Sequence, residues 1–211
     1  MEIPSQSPYS FGFTAGGLGL VYCQVLAGLY LELGDWQKVR TVALSTNALR
    51  QGRSASSVRV EREFRQRVAT LTPDQMRLLA EGSGDVTRPL ALLAAFKRYP
   101  VILDFCVLTL QPKLTVFDIA VRPSDLENFF AEVEPRHPEV SEMTDSTQAK
   151  IRQVLVRILA EGGILSETEN PVIDPIPLVP EVARVISTDS PAYLRGFLVD
   201  AAELLIYSDP R

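Results

Sequence analysis

The residues best placed to do chemistry are the arginines between positions 50 and 71, and the chemistry that they suit is phosphate binding. Arg59, Arg62 and Arg65 are three residues apart, so on a helix their guanidinium groups form a row. A polar loop over residues 50–57 leads into this helix. Small hydroxyls and arginines at a helix start suit a phosphate backbone, because free amides and the helix dipole favour anions there. The contacts predicted in this segment are Arg50, Arg53, Ser54, Ser56, Ser57, Arg59, Arg62 and Arg65.

The opposite side of the same helix is apolar. At about 100° per residue, Val60, Phe64, Val68 and Leu71 gather on the side away from the arginine row. This pattern predicts a helix that turns its apolar edge toward a core and its arginines outward. Periodicity alone fits an ordinary surface helix equally well, with a basic face that meets water or acidic side chains.

Charge is distributed unevenly along the chain of 211 residues. The net charge is −5 and the pI is near 5.0, which argues against indiscriminate binding of nucleic acid. Between Gln37 and Thr70, however, eight basic residues stand against two acidic ones, a balance of +6 that leaves −11 for the remainder. This asymmetry predicts a local docking place for an anion on an otherwise repelling molecule.

A second basic helix is predicted to follow Thr144, and it adds Lys150 and Arg152 to the candidate DNA contacts. Apolar pairs at residues 164–165 and 172–173 predict a β-hairpin directly after this helix. A helix followed at once by a hairpin is the outline of a winged-helix module. The same pattern also fits a helix and a turn that serve only for packing. The predicted buried stripe of the helix consists of Ile151, Leu155, Ile158 and Leu159.

The elements that position these residues are predicted to be mostly helices. Apolar spacing predicts a helix over residues 14–33 and another from Trp36 to about residue 48. The second of these and the arginine helix make a loose helix-turn-helix outline with a long loop. Residues 114–121 are rich in β-branched side chains and predict a short strand. The residues predicted to begin or end helices include Thr14, Gly34, Asp35, Thr72 with Gln75, and Ser124 with Glu127.

The predicted fold class is therefore mainly α, a multi-helical chain with helix-turn-helix or winged-helix character and a few short strands. Three parts are predicted. Residues 1–113 form an N-terminal helical domain with the basic segment, and residues 114–189 form a winged-helix-like domain. Residues 190–211 form a C-terminal helix whose leucines predict that it docks onto the body.

No catalytic or metal-binding constellation can be assembled from the sequence. The single histidine, His137, is predicted to lie exposed in a loop, and Cys23 and Cys106 are predicted to be buried and reduced. The glycines at residues 16, 17 and 19 lack the preceding strand and the following lysine of a phosphate loop. We therefore expect no enzymatic activity, no cofactor and no metal site.

The uncharged stretch of residues 3–31 raises the question of a membrane helix. Its apolar part, residues 18–31, is about 14 residues long, whereas a spanning helix needs about 20. A buried core helix fits this length better. No signal peptide is predicted, so we expect a cytoplasmic protein with no membrane partner.

Several segments occur in the order found in a known protein family. They are YSF at residues 9–11, TAGG at 14–17, LYLELGDW at 29–36, the serine-arginine block to residue 67, RYP at 98–100, and TDST with KIRQVL at 144–155. Up to about residue 180, this ordered set resembles the BrxA family, small accessory proteins of the BREX bacteriophage-defence systems. The resemblance implies a mostly helical, cytoplasmic bacterial protein with winged-helix character and DNA binding, and no enzymatic activity of its own. It also implies work alongside an adenine methyltransferase, a phosphatase-like protein and ATPases.

Three functions stay open on this basis. The first is a DNA-binding accessory protein whose arginines grip the phosphates of double-stranded DNA with little sequence preference. The second is an adaptor that binds other BREX proteins and turns the same basic face toward an acidic partner. The third is RNA binding, which the scarcity of aromatic residues beside the arginine row disfavours, because single-stranded RNA is usually recognised by stacking.

Overall fold

The computed structural model describes residues 8–50 and 54–199, and helices make up most of this part of the chain. The predicted mainly helical fold class is confirmed. Shorter 3-10 helices cover Gly12–Ala15, Pro138–Val140 and Pro191–Phe197, and a π-helical turn covers Cys106–Leu110. The α-helices are α1 (Leu20–Leu33), α2 (Trp36–Ser45), α3 (Ser54–Val68), α4 (Pro73–Glu81), α5 (Gly84–Arg98), α6 (Pro100–Phe105), α7 (Gln111–Thr115), α8 (Pro123–Val133), α9 (Asp145–Glu161) and α10 (Pro180–Asp189).

Helix ends follow the local chemistry of the sequence. Gly34 ends α1 with a left-handed φ of 64°, a conformation that a residue without a Cβ adopts at little cost. Asp35 caps α2 by accepting a hydrogen bond from the backbone amide of Lys38. Thr72 and Gln75 bond reciprocally at the start of α4. These four predicted cap residues are confirmed, but the capping box predicted at Ser124 and Glu127 is wrong, because α8 begins at Pro123 and Asp125 accepts from the amide of Arg122.

The first long helix begins later than predicted. A 3-10 helix occupies Gly12–Ala15, and α1 starts only at Leu20, after Gly19 with a φ of 65°. A Cβ on Gly19 would lie 2.0 Å from an atom of the Phe64 ring, so the chain passes very close to α3 at this point. The prediction of one continuous helix over residues 14–33 is wrong, because apolar spacing carries no information about a left-handed residue.

The predicted strand over residues 114–121 is also wrong in extent. Helix α7 runs to Thr115, and Phe117 turns the chain with a φ of 59°. Only Ala120 of this segment forms an antiparallel bridge, to Val172. β-Branched composition is a weak predictor because strand preference depends on the surroundings.

The predicted hairpin after α9 is reduced to a single pair. Leu165 and Ile173 form an isolated antiparallel bridge. Hydrogen bonds extend this pairing, from the amide of Ser166 to the carbonyl of Val172 and from Asp174 to Ile164. The predicted winged-helix character is not confirmed by isolated bridges of this length.

Helix α5 forms the centre of the core. Its residues 89–96 are all buried, including Pro89 and Phe96. The core cluster around it draws buried side chains from Tyr9 to Val199. Within the C-terminal part, the ring of Phe197 packs edge-on against Phe96 at 5.3 Å. The described section of the predicted C-terminal helix is a 3-10 helix, and the prediction for residues 200–211 lies outside the described residues.

His137 is buried, and the prediction of an exposed loop histidine is wrong. The side chain is 2% exposed and its ring stacks on Tyr9 at 3.6 Å. Its Nδ1 lies 3.2 Å from a carboxylate oxygen of Glu139. The N-terminal segment around Tyr9 covers this loop, which composition alone did not indicate. Cys23 and Cys106 are buried free thiols, as predicted.

Helix length bears on the membrane question. Over residues 8–50 and 54–199, no helix combines the length and the apolar character needed to cross a bilayer.

Candidate nucleic-acid interface

The apolar residues of α3 face inward, as the sequence predicts. Val60, Phe64 and Val68 are buried, and Leu71 is buried just beyond the end of the helix. The ring of Phe64 also lies 5.0 Å from that of Tyr22 on α1, which fixes α3 against α1. The predicted orientation of α3, with its apolar edge toward the core, is therefore confirmed.

Both acidic residues of α3 are buried in ion pairs within the same helix. Glu61 lies 2.6 Å from Nε of Arg65, and Glu63 accepts a hydrogen bond of 2.8 Å from Nε of Arg67. Glu61 and Arg67 have none of their surface exposed. Two of the basic residues counted in this segment are therefore committed to internal partners, and so are both of its acidic residues.

Arg67 joins α3 to residues 16–19, the glycine segment that precedes α1. Its Nη1 donates to the carbonyl of Gly17 at 2.9 Å. The Tyr99 hydroxyl donates to the carboxylate of Glu63, with both oxygens at 2.7 Å. Burial and this bond raise the pKa of Tyr99 well above its usual range, so the phenol remains protonated and remains a donor. This part of α3 is a fixed structural unit.

The outward face of α3 presents two free arginines. Arg59 and Arg62 are exposed and have no ion-pair or hydrogen-bond partner among the described residues. Arg65 is about one-quarter exposed and is held by Glu61. The predicted row of three exposed guanidinium groups is therefore reduced to two, because the third pairs with a carboxylate one turn away.

The residues that lead into α3 only partly agree with the predicted loop. Helix α3 already begins at Ser54, so Ser56 and Ser57 belong to its first turns. Ser56 is exposed and Ser57 is half-buried. Arg50 is exposed and has a left-handed φ of 50°. Arg53 and the side chain of Ser54 lie outside the described residues.

A groove of about 840 Å³ runs beside this region, and we call it the glycine groove. Gly16, Gly17 and Gly19 form one wall, and Arg50, Ser56 and Arg157 contribute polar groups. Glu161 lies in the same groove and accepts from the amide of Leu18 at 2.5 Å. The groove therefore connects the start of α3 with the C-terminal end of α9.

A second groove, of about 460 Å³, lies between α8 and α9 and is called the α8–α9 groove. Arg122, Arg152 and Arg157 line it together with Glu127 and Glu169. Arg157 lines both grooves, so the two adjoin at this residue. Its guanidinium is half exposed and lies 2.7 Å from Glu161.

The two predicted contacts on α9, Lys150 and Arg152, differ in how available they are to a ligand. Lys150 is exposed, and its Nζ donates to the side chain of Gln153 at 2.9 Å. Arg152 is half-buried, donates to Gln148 at 3.3 Å, and has its guanidinium over the Phe130 ring at 5.8 Å. Lys150 is therefore available to a ligand, whereas Arg152 is largely engaged with the protein.

Sequence reasoning missed Arg157 and Arg122 as groove residues. For Arg157 the sequence contains a signal. Lys150, Gln153 and Arg157 are three and four residues apart, so Arg157 shares a helix face with the predicted contact Lys150. For Arg122 the sequence contains no such signal, because its position in the groove depends on the packing of α8 against α9. Among the described residues, no cluster of three or more histidines, cysteines or acidic residues could hold a metal ion.

Comparisons with known proteins agree on one family. The profile of the BrxA family matches residues 7–190. The chain is 22% identical over 186 residues to a BREX protein BrxA of Paramagnetospirillum magneticum (strain ATCC 700264 / AMB-1), covering 88% of this chain and 94% of the relative. It is 27% identical over 164 residues to a BREX protein BrxA of Escherichia coli O9:H4 (strain HS), covering 77% of this chain and 76% of the relative.

A solved structure has the same fold. The crystal structure of an uncharacterized protein from Magnetospirillum magneticum superposes with a TM-score of 0.79, at 22% sequence identity. The match covers 90% of this chain and 98% of the other.

Proposed function

The chain belongs to the BrxA family, whose relatives named above are BREX proteins, and we propose that it binds the sugar-phosphate backbone of double-stranded DNA as a non-enzymatic, cytoplasmic accessory protein of a BREX system. In this proposal the predicted contacts Arg50, Arg53, Ser54, Ser56, Ser57, Arg59, Arg62 and Lys150 meet phosphates. Arg65 and Arg152 contribute less, since both have protein partners.

The observation that carries the proposal is the pairing on α3. Because Glu61 and Glu63 are buried against Arg65 and Arg67, neither carboxylate faces solvent to repel a phosphate. Arg59 and Arg62 are left exposed without a partner in the described part of the chain. A guanidinium in this state gains a charge-assisted hydrogen bond on meeting a phosphate and loses no internal partner.

A salt titration of duplex binding tests this proposal. With about four to six phosphate contacts, a plot of log K against log salt should have a slope of roughly −4 to −5. The variant Arg59→Ala/Arg62→Ala should weaken binding by roughly tenfold or more and make the slope less steep by about 2. The fold should be retained, because neither side chain has a partner in the described part of the chain.

A charge-matched control separates this site from general electrostatics. Arg77 and Arg184 are exposed arginines on α4 and α10, and Arg77→Ala/Arg184→Ala removes the same two charges. This control should keep the affinity and slope of the parent. If both double variants bind duplex as well as the parent does, the assignment of the site to α3 fails.

An adaptor role within the BREX machinery is the second candidate, and the turn after α9 favours it. Chain order places one short pairing segment before α8 and two after α9, which is the order of a winged-helix module. The turn at residues 167–170 would be its wing, yet it carries the exposed acids Glu167 and Glu169. Two carboxylates repel a phosphate backbone and suit a basic protein surface.

Pull-down after nuclease treatment distinguishes the two roles. Other BREX proteins, namely the methyltransferase, the phosphatase-like protein and the ATPase, serve as defined baits. Retention without DNA that depends on Glu167 and Glu169 of the acidic turn, or on Arg59 and Arg62 of the basic face, favours the adaptor, whereas loss of retention after nuclease treatment favours binding through DNA.

A further inference from the structure

The loop between α7 and α8 exposes an unusual amount of apolar surface. Val116, Phe117 and Ile119 are 71%, 90% and 46% exposed. We call these three side chains the apolar tip. These three side chains come from one short stretch of the chain and lie outside the core. They therefore bury little apolar surface within the fold.

The backbone at the apolar tip is unfavourable for the residue that occupies it. Phe117 has a φ of 59°, in the left-handed region, where a Cβ is crowded and glycine or asparagine is preferred. The turn holds this conformation through hydrogen bonds from Phe117 to the carbonyl of Leu114 and from Asp118 to that of Lys113. Neither local conformation nor packing therefore favours an aromatic side chain here, which points to a role outside the chain.

A network of ion pairs fixes the loop in place. Lys113 lies 2.6 Å from Asp118 and 3.1 Å from Asp125, and Arg122 lies 2.9 Å from Asp118. Hydrogen bonds from Arg122 and Lys113 lower the pKa of Asp118 to about 2, so the network stays charged at neutral pH. Two basic and two acidic side chains offset one another, so this network carries no net charge.

The apolar tip is not part of the lining of the α8–α9 groove. The amide of Val121 donates to the carbonyl of Pro171, and the amide of Ile173 donates to that of Ile119. This antiparallel register places Val121 near the acidic turn at residues 167–170, which borders the groove, and Ile119 at the other end. Phe117 precedes Ile119, and none of the three side chains of the apolar tip lines the groove, whereas Arg122, which pairs with Asp118, does.

We propose that the apolar tip is the anchor of an interface with a different protein, in which the Phe117 ring inserts into an uncharged apolar pocket. Charge supports this occupant, because a neutral tip offers nothing to a phosphate backbone or to a strongly charged surface. A single rigid aromatic in a pocket is the usual form of an interface hot spot.

A second copy of this chain is a poorer occupant. Three exposed side chains bury at most about 400 Å², roughly half of what each partner of a stable complex contributes. An isologous contact that pairs two apolar tips would therefore be too small and would offer the Phe117 ring no pocket, whereas a different protein adds the wall of a pocket to the buried surface. Insertion into a different surface of a second copy would be a head-to-tail contact that propagates without closing.

Binding measurements with purified full-length chain test the proposal. The probes are the purified methyltransferase, phosphatase-like protein and ATPase of the same BREX system, each titrated alone. We expect one of them to bind, and Phe117→Asn to weaken that binding by at least about tenfold. The control Leu31→Asn makes a similar change at an exposed apolar residue of α1 and should bind like the parent.

Stability and DNA binding give independent readouts for the same variant. Asparagine adopts the left-handed conformation more readily than phenylalanine, so Phe117→Asn should unfold at the same temperature as the parent or a higher one. Its duplex affinity should be unchanged, because the apolar tip is separate from the basic face. The proposal fails if none of the three proteins binds, if Phe117→Asn binds like the parent, or if it unfolds at a lower temperature.

Cross-linking in cells identifies the occupant directly. A photoreactive benzoylphenylalanine at position 117 should form an adduct with the BREX protein that binds in the titrations. An adduct of the chain with itself, with DNA or with lipid would overturn the proposal.

Discussion

Arg67 is the residue on which the arrangement around α3 depends. It is wholly buried, pairs with Glu63 one turn earlier, and bonds the carbonyl of Gly17. Removing one partner of a buried pair leaves the other charge without compensation. The consequence reaches beyond α3, because the glycine segment that lines the glycine groove is held by the same guanidinium.

Arg67→Met should therefore destabilise the protein strongly. We expect a loss of about 3–5 kcal/mol in the free energy of unfolding, because Glu63 would remain buried with only Tyr99 as a donor. Urea denaturation followed by far-UV circular dichroism measures this change. The control Arg62→Met removes an exposed arginine of the same helix and should stay within about 0.5 kcal/mol of the parent. Equal effects of the two substitutions would contradict the buried-pair account.

At the scale of elements, Gly19 decides how α1 meets α3. It has a left-handed φ of 65°, and a Cβ there would overlap the Phe64 ring. Gly28 lies in the middle of α1 and has open space where a Cβ would be. The two glycines of one segment thus have opposite roles, since one permits a close approach and the other only weakens the helix.

Alanine substitution should separate these two roles. Gly19→Ala should lower the free energy of unfolding by roughly 2–4 kcal/mol, through backbone strain and overlap with Phe64. Gly28→Ala should raise it by about 0.5–1 kcal/mol, because alanine is the better helix former. Thermal and urea unfolding of both variants provide the measurement. A stabilising effect of Gly19→Ala would show that the chain is not in close contact with α3.

The local sequence predicts where helices begin and end better than it predicts which distant residues pack against them. Gly34 and the Thr72 capping box act within a few residues, so their roles were predictable. The pairing of Glu61 with Arg65 was also visible as a spacing of four, and it would have reduced the arginine row to two. The bond from Leu18 to Glu161 spans 143 residues, and no local pattern contains it. The glycine groove depends on contacts of that kind.

On the scale of the whole molecule, the contacts cross the predicted division of the chain. Nε2 of Gln75 donates to the carbonyl of Val185 at 2.9 Å, and Lys97 lies 2.5 Å from Asp189. Buried side chains from both sides of residue 113 belong to one core cluster. The three-part division itself stays a prediction, but these contacts link α4 and α5 to α10 firmly enough to couple their unfolding.

We therefore expect one cooperative unfolding transition for the full chain. Trp36, the single tryptophan, stacks on Tyr30 at 4.2 Å and reports on α1 and α2, whereas far-UV circular dichroism reports on all helices. The two signals should give the same midpoint in urea, because parts that share one core lose their packing together. Lys97→Met removes a link from α5 to α10 and should lower both midpoints by the same amount. Two separate midpoints, or a shift in only one of them, would instead indicate that the N-terminal helices and the region from α8 to α10 unfold independently.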